Sequence, residues 1–398
     1  MIAALKLVAV AALIIVLLWR KVDLSLAMLG ASLVLGLLFG MPLVDMGLAG
    51  VHAVTDLRTL DLLAALWLIL MLADILRTRR MVDALRSLVR DPRLIMAVVP
   101  AFIGFLPSPG GAIFSAPLVG DAAEGLGASP ERLSFINYWY RHVWEFALPL
   151  YVSVLMAAEI AGRPAAELMA LNWPATPVMV LTGLPLAFWG LRITRGQGGP
   201  ALERRRVVRD LLAGVVPVAV VIVLVMGLQA DIALALLLVV DVLLIVERLS
   251  FRDIVALARR SFSVQVLGLV LGVMVFKEML VASGAVAALP PFFAELGVPP
   301  ALVFLALPLL VGVLTGNMVA TVGVTMPVLM GLIDPATQLY LVSFGFVCGF
   351  AGVILSPVHL CLVLTVQYFG ARMGRVYWRL VAGETVVVGA AALWLLRG

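Results

Sequence analysis

The chain reads as an all-α polytopic membrane protein, with about ten transmembrane helices in two inverted-topology repeats of five, each carrying a re-entrant hairpin and a Pro-broken helix. Three observations predict this: the composition, the grouping of the basic residues, and prolines and glycines that recur at one offset. Of 398 residues, 64% are hydrophobic and 13% charged. Soluble domains hold about 45–50% apolar and about 25% charged residues.

A spanning helix needs about 20 mostly apolar residues. The runs that qualify are 3–19, 24–41, 59–76, 134–161, 169–191, 210–228, 232–247, 262–283, 338–369 and 377–396. For the first, with its one lysine, Lys6, composition alone leaves a cleaved signal peptide open. The repeat described below uses it as a helix, so it is expected to stay in the mature protein. Two further apolar stretches, 94–120 and 300–332, are interrupted by Pro, Gly and Asn and are set apart from simple spans. Cys348 and Cys361 lie in one apolar stretch and read as small core residues, with no disulfide framework.

The basic residues form four groups: Arg77, Arg79, Arg80, Arg86, Arg90 and Arg93; Arg192, Arg195, Arg204, Arg205, Arg206 and Arg209; Arg248, Arg252, Arg259 and Arg260; Arg372, Arg375 and Arg379. With ten spans, and with each interrupted stretch entering and leaving on one side, all four groups fall on the same face. The positive-inside rule makes that face cytoplasmic and puts both termini outside, in a multi-pass protein of the inner (plasma) membrane. The net charge of +5 is thus accounted for by orientation in a lipid bilayer, and no nucleic-acid partner is expected.

Pro100 recurs as Pro308, Pro149 as Pro357, Gly104 as Gly312, Gly162 as Gly370 and Asp23 as Asp231, all 208 residues on. This divides the chain into a first repeat (1–191), a basic cytoplasmic connector (192–209) and a second repeat (210–398). Five spans per half invert the second half in the membrane, as in many secondary transporters.

Within lipid, irregular backbone survives only where protein or water surrounds it. The stretch 94–120 is therefore predicted to be a re-entrant hairpin with its tip at Pro107–Gly111, and 300–332 its partner with "TGNMVAT" (315–321) at the tip. Pro149 in the run 134–161 and Pro357 in the run 338–369 break the helix and restart it. Two tips and two restarts bring free backbone groups and helix dipoles towards the midplane.

The halves differ where substrate chemistry would sit. Arg141, His142 and Glu145 stand opposite Gly349, Phe350 and Val353 in the repeat. Arg141 and Glu145, four apart, are expected on one helical face and able to pair. Ionisable groups at this depth suggest function, although a salt bridge at the end of the helix is the plainer alternative; His142 reads as structural. Lys277 and Glu278 are neighbours that need separate partners, and Asp74 matches Glu278 in the repeat. The first tip offers Ser108, Pro109, Gly110 and Gly111, with Ser115 just beyond. The second offers Thr315, Gly316, Asn317 and Thr321, with Ser356 at the second break. Hydroxyl and amide oxygens suit a hard monovalent cation, and free N–H groups suit an anion. No soft-metal site is visible.

"FLPSPGGAIFSAPLV" (105–119) and "INYWYRHVWEFALPLY" (136–151) resemble an integral-membrane family, domain of unknown function 401, of the wider ion-transporter superfamily that includes gluconate, arsenite and sodium-coupled dicarboxylate permeases. The resemblance spans the chain. It implies an inverted repeat, a scaffold domain, and a mobile domain working as an elevator in homodimers. The dicarboxylate branch has a Ser-Asn-Thr triplet at each tip. Here the tips read Ser108-Pro109-Gly110 and Thr315-Gly316-Asn317, so only Ser108 and Asn317 match loosely.

The expected function is secondary transport of a small organic anion of carboxylate type. Substrate contacts are expected from Ser108, Pro109, Gly110, Gly111, Arg141, Glu145, Thr315, Gly316, Asn317 and Ser356. Proton coupling would use Glu145, and sodium coupling Ser115, Asn317 and Thr321; no cofactor is expected beyond Na⁺ as coupling ion. The alternatives are a membrane-embedded enzyme or an ion channel using the same midplane cavity. With His52, His142 and His359 as its histidines, the chain has no H-E-x-x-H motif, and it shows no nucleophile elbow or Walker loop.

Overall fold

In the computed structural model, described for residues 2–20, 22–77, 91–105, 112–191, 204–285, 291, 293, 295 and 297–395, the elements are helical, and no strand occurs among the described residues. The first half contains α1 (Ile2–Trp19), α2 (Leu24–Leu38), α3 (Leu43–Thr55), α4 (Leu57–Arg77), α5 (Pro92–Gly104), α6 (Ala112–Ala122), α7 (Pro130–Arg141), α8 (Val152–Ala161), α9 (Ala165–Asn172) and α10 (Ala175–Phe188). The second contains α11 (Arg204–Ile222), α12 (Ile232–Val246), α13 (Phe251–Arg260), α14 (Val264–Ala282), α15 (Pro300–Thr315), α16 (Met318–Leu329), α17 (Leu339–Ile354), α18 (Leu360–Phe369) and α19 (Met373–Leu395).

Helix boundaries follow local chemistry, and the chemistry recurs. Asp23 caps α2 by accepting from Ser25 N, and Asp231 caps α12 by accepting from Leu234 N. Both helices then run to positions 208 residues apart, Leu38 and Val246. Helices α8 and α18 share that offset at both ends, and each stops on a left-handed glycine, Gly162 (φ 65°) and Gly370 (φ 64°). Only glycine adopts that conformation without a Cβ penalty.

The packing is reciprocal as well. Helix α14 lies against α2 and α3, while α4 lies against α12 and α13. An ion pair joins Asp74 of α4 to Arg260 of α13, and His52 of α3 faces Glu278 of α14 at 3.2 Å. His52 and Arg260 are 208 apart and Asp74 and Glu278 are 204 apart, so the two contacts occupy similar places along the halves. Lys277 turns instead to Glu159, 3.9 Å away.

Four stretches among the described residues are long and apolar enough to cross a membrane: Leu57–Leu76, Val208–Gly227, Val264–Ala282 and Met373–Trp394. Other apolar helices are shorter, because several of the predicted runs are subdivided. The run 169–191 is interrupted at Trp173-Pro174, between α9 and α10, rather than forming one span. Helices α3 and α13 lie in segments expected to be connectors. Helix α13 is short and amphipathic; a reciprocal Ser250–Asp253 capping box starts it and Arg259 and Arg260 end it.

The stretches set apart from simple spans hold two packed helix pairs, α5–α6 and α15–α16. Each hairpin packs its first helix on the broken helix of its own half, α5 on α7 and α15 on α17, and its second on the restarted helix of the other half, α6 on α18 and α16 on α8. Glycine makes the first contact possible. A Cβ on Gly104 would collide with the Arg141 carbonyl oxygen, and one on Gly312 with that of Gly349.

Candidate functional site

The two helix breaks differ. Helix α17 runs to Ile354, and the chain restarts at Leu360 with His359 as N-cap. Its counterpart α7 stops at Arg141, so His142 to Tyr151 form an irregular segment before α8. The break expected at Pro149 therefore begins seven residues earlier, at His142. Arg141 and Glu145 consequently do not share a helical face, because the helix ends between them. The bulky, polar 142–146 replaces a stretch that in the second half holds Gly352, whose position has the Leu309 carbonyl group against it and no room for a side chain.

Arg141 is buried, with Nη1 3.4 Å from Tyr151 Oη, and the Tyr151 hydroxyl donates to the Gly104 carbonyl where α5 ends. The second half has the matching tie: His359, 208 residues after Tyr151, donates from Nδ1 to the Gly316 carbonyl at 2.6 Å. Ser356 Oγ donates to Val313 O at 2.7 Å. In each half the break is thus bound to its own hairpin.

The breaks also meet each other. His142 is buried, and its Nδ1 lies 2.6 Å from the Tyr138 carbonyl oxygen. Its Nε2 is 3.2 Å from His359 Nε2 and 3.8 Å from Glu145 Oε1. A chain of close contacts therefore runs Glu145–His142–His359–Gly316, from the first break to the second tip. Ligand atoms of His142, His359 and Cys361 all fall within 4.8 Å of one another. The histidines are 217 residues apart, and nothing local in the sequence links them.

Of the expected site residues, Glu145, Gly316 and Ser356 gather around this histidine pair. Thr315, Asn317 and Thr321 form a compact group beside it: Thr321 Oγ1 donates to Asn317 O at 2.8 Å and lies 3.2 Å from Thr315 Oγ1, and Asn317 Oδ1 caps α16 at Ala320 N. Ser115 sits in a second polar group, where its Oγ and Asn137 Nδ2 both donate to Ala112 O; Asn137 also donates to Thr365 at 3.1 Å. Ser108, Pro109, Gly110 and Gly111 lie outside the described residues. The sequence reading also missed Glu384, fully buried in α19, whose two carboxyl oxygens have no hydrogen-bond partner among the described residues. An acid inside an apolar run was the available signal.

A cleft of about 490 Å³, with Arg58, Asp61, Glu159, Arg163 and Asp231 in its wall, opens beyond the far end of α8. It shares no lining residue with the tips or the breaks. We place the site at the breaks, where both halves converge, rather than in this cleft.

No curated protein matches the chain. The fold is similar to the crystal structure of the Alcanivorax borkumensis YdaH transporter, described as having an unusual topology, with a TM-score of 0.55 at 15% identity over 87% of this chain and 86% of that one. A family model, protein of unknown function (DUF401), matches residues 2–397. Spanning nearly the whole chain, that match makes this protein a member of the DUF401 family.

Proposed function

We propose that the protein is a secondary transporter of a small organic anion, coupled to Na⁺ or H⁺, in which two inverted repeats move a hairpin-bearing domain as an elevator within a homodimer. The observation that carries this reading is the run of contacts from Glu145 through His142 and His359 to Gly316, which joins both helix breaks and a hairpin tip. Irregular backbone at membrane depth needs protein or a water-filled cavity around it, and transporters use such places to bind substrate and coupling ion. The YdaH-like fold supports the transporter class. Arg141 and the N-termini of the restarted helices favour an anion. The Thr315/Asn317/Thr321 oxygens favour Na⁺ as the coupling ion, and Glu145 is the carrier if protons couple. In this reading the Arg-rich segments face the cytoplasm of the inner membrane.

The test is a thermal-shift screen of the purified protein with carboxylates, sulfonates and oxyanions, in Na⁺ or K⁺, at mildly acidic and neutral pH. A ligand at about a hundred times its Kd stabilises the folded state by about 2.7 kcal/mol. Hits then go to flux assays in proteoliposomes. A Na⁺-dependent hit lost in Asn317→Ala supports sodium coupling, and an acid-enhanced hit altered in Glu145→Gln supports protons. Absence of both binding and flux across the panel refutes the anion reading.

A further inference from the structure

The histidine pair has an electronic problem that points to a ligand. A carbonyl oxygen can only accept, so the short contacts of His142 Nδ1 to Tyr138 O and of His359 Nδ1 to Gly316 O, both 2.6 Å, require a proton on each Nδ1. In neutral imidazoles the two Nε2 atoms are then bare lone pairs, and they face each other at 3.2 Å. Two acceptors at that distance repel unless something positive lies between them.

We propose that His142 Nε2, His359 Nε2 and Cys361 Sγ, with the Glu145 carboxylate as fourth ligand, form a binding site for a borderline transition-metal ion of the Zn²⁺ class.

Three features fit. In a tetrahedral site with Zn–N bonds of about 2.0–2.1 Å, two nitrogens stand about 3.3 Å apart, and the observed separation is 3.2 Å. A metal-ligating histidine almost always fixes its tautomer by donating its other N–H to a carbonyl or carboxylate, and both histidines do so here. The charge also balances: one thiolate and one carboxylate neutralise a divalent ion, which a low-dielectric interior requires. Binding therefore releases the Cys361 thiol proton to solvent, one per ion. Imidazole with thiolate selects Zn²⁺ or Cu⁺ over Na⁺, Mg²⁺ and Ca²⁺. The Cys361 sulfur, within 4.8 Å of a ring nitrogen of each histidine, closes in by roughly 1 Å to reach bonding distance.

The ligands come from both halves, so an ion here would cross-link the first break to the start of α18 and, through Gly316, to the second hairpin tip. The inference goes beyond the anion reading, because it concerns metal affinity measured without transport.

The test is titration of the full-length, chelator-treated protein with Co²⁺ as a spectroscopic stand-in. The expected result is one Co²⁺ per chain, with tetrahedral ligand-field bands and a thiolate-to-cobalt charge-transfer band. Cys361→Ser, nearly isosteric, should remove the charge-transfer band and weaken binding at least tenfold; Cys348→Ser should change neither. His359→Gln should weaken binding as strongly, with its unfolding temperature checked in the absence of metal. Wild-type protein with no saturable Co²⁺ binding, its histidines sharing a proton instead, would overturn the proposal. So would Co²⁺ binding that Cys361→Ser and His359→Gln leave intact. Failure of the anion screen alone touches only the transport reading.

Discussion

Gly312 permits a close backbone approach between α15 and the broken helix α17, and Gly312→Ala measures what that approach contributes. Besides the Gly349 carbonyl, the added Cβ would stand 2.8 Å from Val353 N and 3.0 Å from Gly352 C. All are backbone atoms, so no side-chain rotation relieves them. A carbon approaches a carbonyl oxygen to about 3.3 Å, which forces α15 and α17 roughly 1 Å apart. Such a gap forfeits a quarter to a half of each facing atom pair's about 0.1–0.2 kcal/mol. Taking about thirty pairs along the crossing, the loss is about 2 kcal/mol, while Ala returns up to about 1 kcal/mol of helix propensity. The net expectation is a loss of about 1–2 kcal/mol, in the range for overpacking. At this chain length that lowers Tm by about 1–3 °C, read by tryptophan fluorescence in detergent. Gly104→Ala, which meets the Arg141 carbonyl, should behave alike. Gly30→Ala, with nothing within 4 Å of its Cβ, should be neutral or mildly stabilising. A Gly312→Ala protein indistinguishable from Gly30→Ala would refute the backbone-contact argument.

Glu384 is buried with neither carboxyl oxygen hydrogen-bonded among the described residues, so Glu384→Leu should raise stability by about 1–3 kcal/mol; a lower melting temperature would mean that the carboxyl contributes to the fold. The Asp74–Arg260 pair has side chains 31% and 58% exposed, and a double-mutant cycle with Asp74→Asn and Arg260→Gln should return at most about 1 kcal/mol of coupling. A much larger value would make this contact a principal clamp between the halves. In the α13 capping box, hydrogen bonds from the Ser250 side chain and backbone hold the Asp253 carboxyl below its ordinary value of 3.8. Its stabilisation is present above that value and fades as pH falls through the lower, folded one. Hydrogen exchange over 251–260 should therefore show this helix start loosening only under acid conditions below about pH 3.8. Asp253→Asn should abolish that pH dependence, and an unchanged profile in the variant would count against the box.

Much of the architecture could be read in the sequence, because prolines, glycines and capping aspartates act locally. Pro100/Pro308 and Gly162/Gly370 carry the same conformational meaning wherever they occur, so their offset pointed to matching helix ends before any contact was known. Lys277 and Glu278 were rightly expected to have separate partners, since neighbours on a helix point apart. Two kinds of information were missed. Helices α3 and α13 are short, and a window tuned to spans passes over them. The meeting of His142 with His359 depends on tertiary packing of α7 against α18. In the sequence each histidine is merely one polar residue in an apolar setting. The early end of α7 was also hidden, because a Pro at 149 is a stronger local signal than the polar residues that unwind the chain before it.

The unequal breaks have a thermodynamic consequence. In transporters built from inverted repeats, the inward- and outward-facing states exchange the conformations of the halves; identical halves would make those states equal in energy. Here one half leaves His142 to Tyr151 irregular, while the other unwinds only from Leu355 to His359. Under the proposed transport reading, exchanging such halves would trade a long non-helical segment for a short one, and the two states would differ in energy. Each about 1.4 kcal/mol of difference weights the resting population about tenfold to one side. If the halves exchange in this way, the molecule has a side on which it waits.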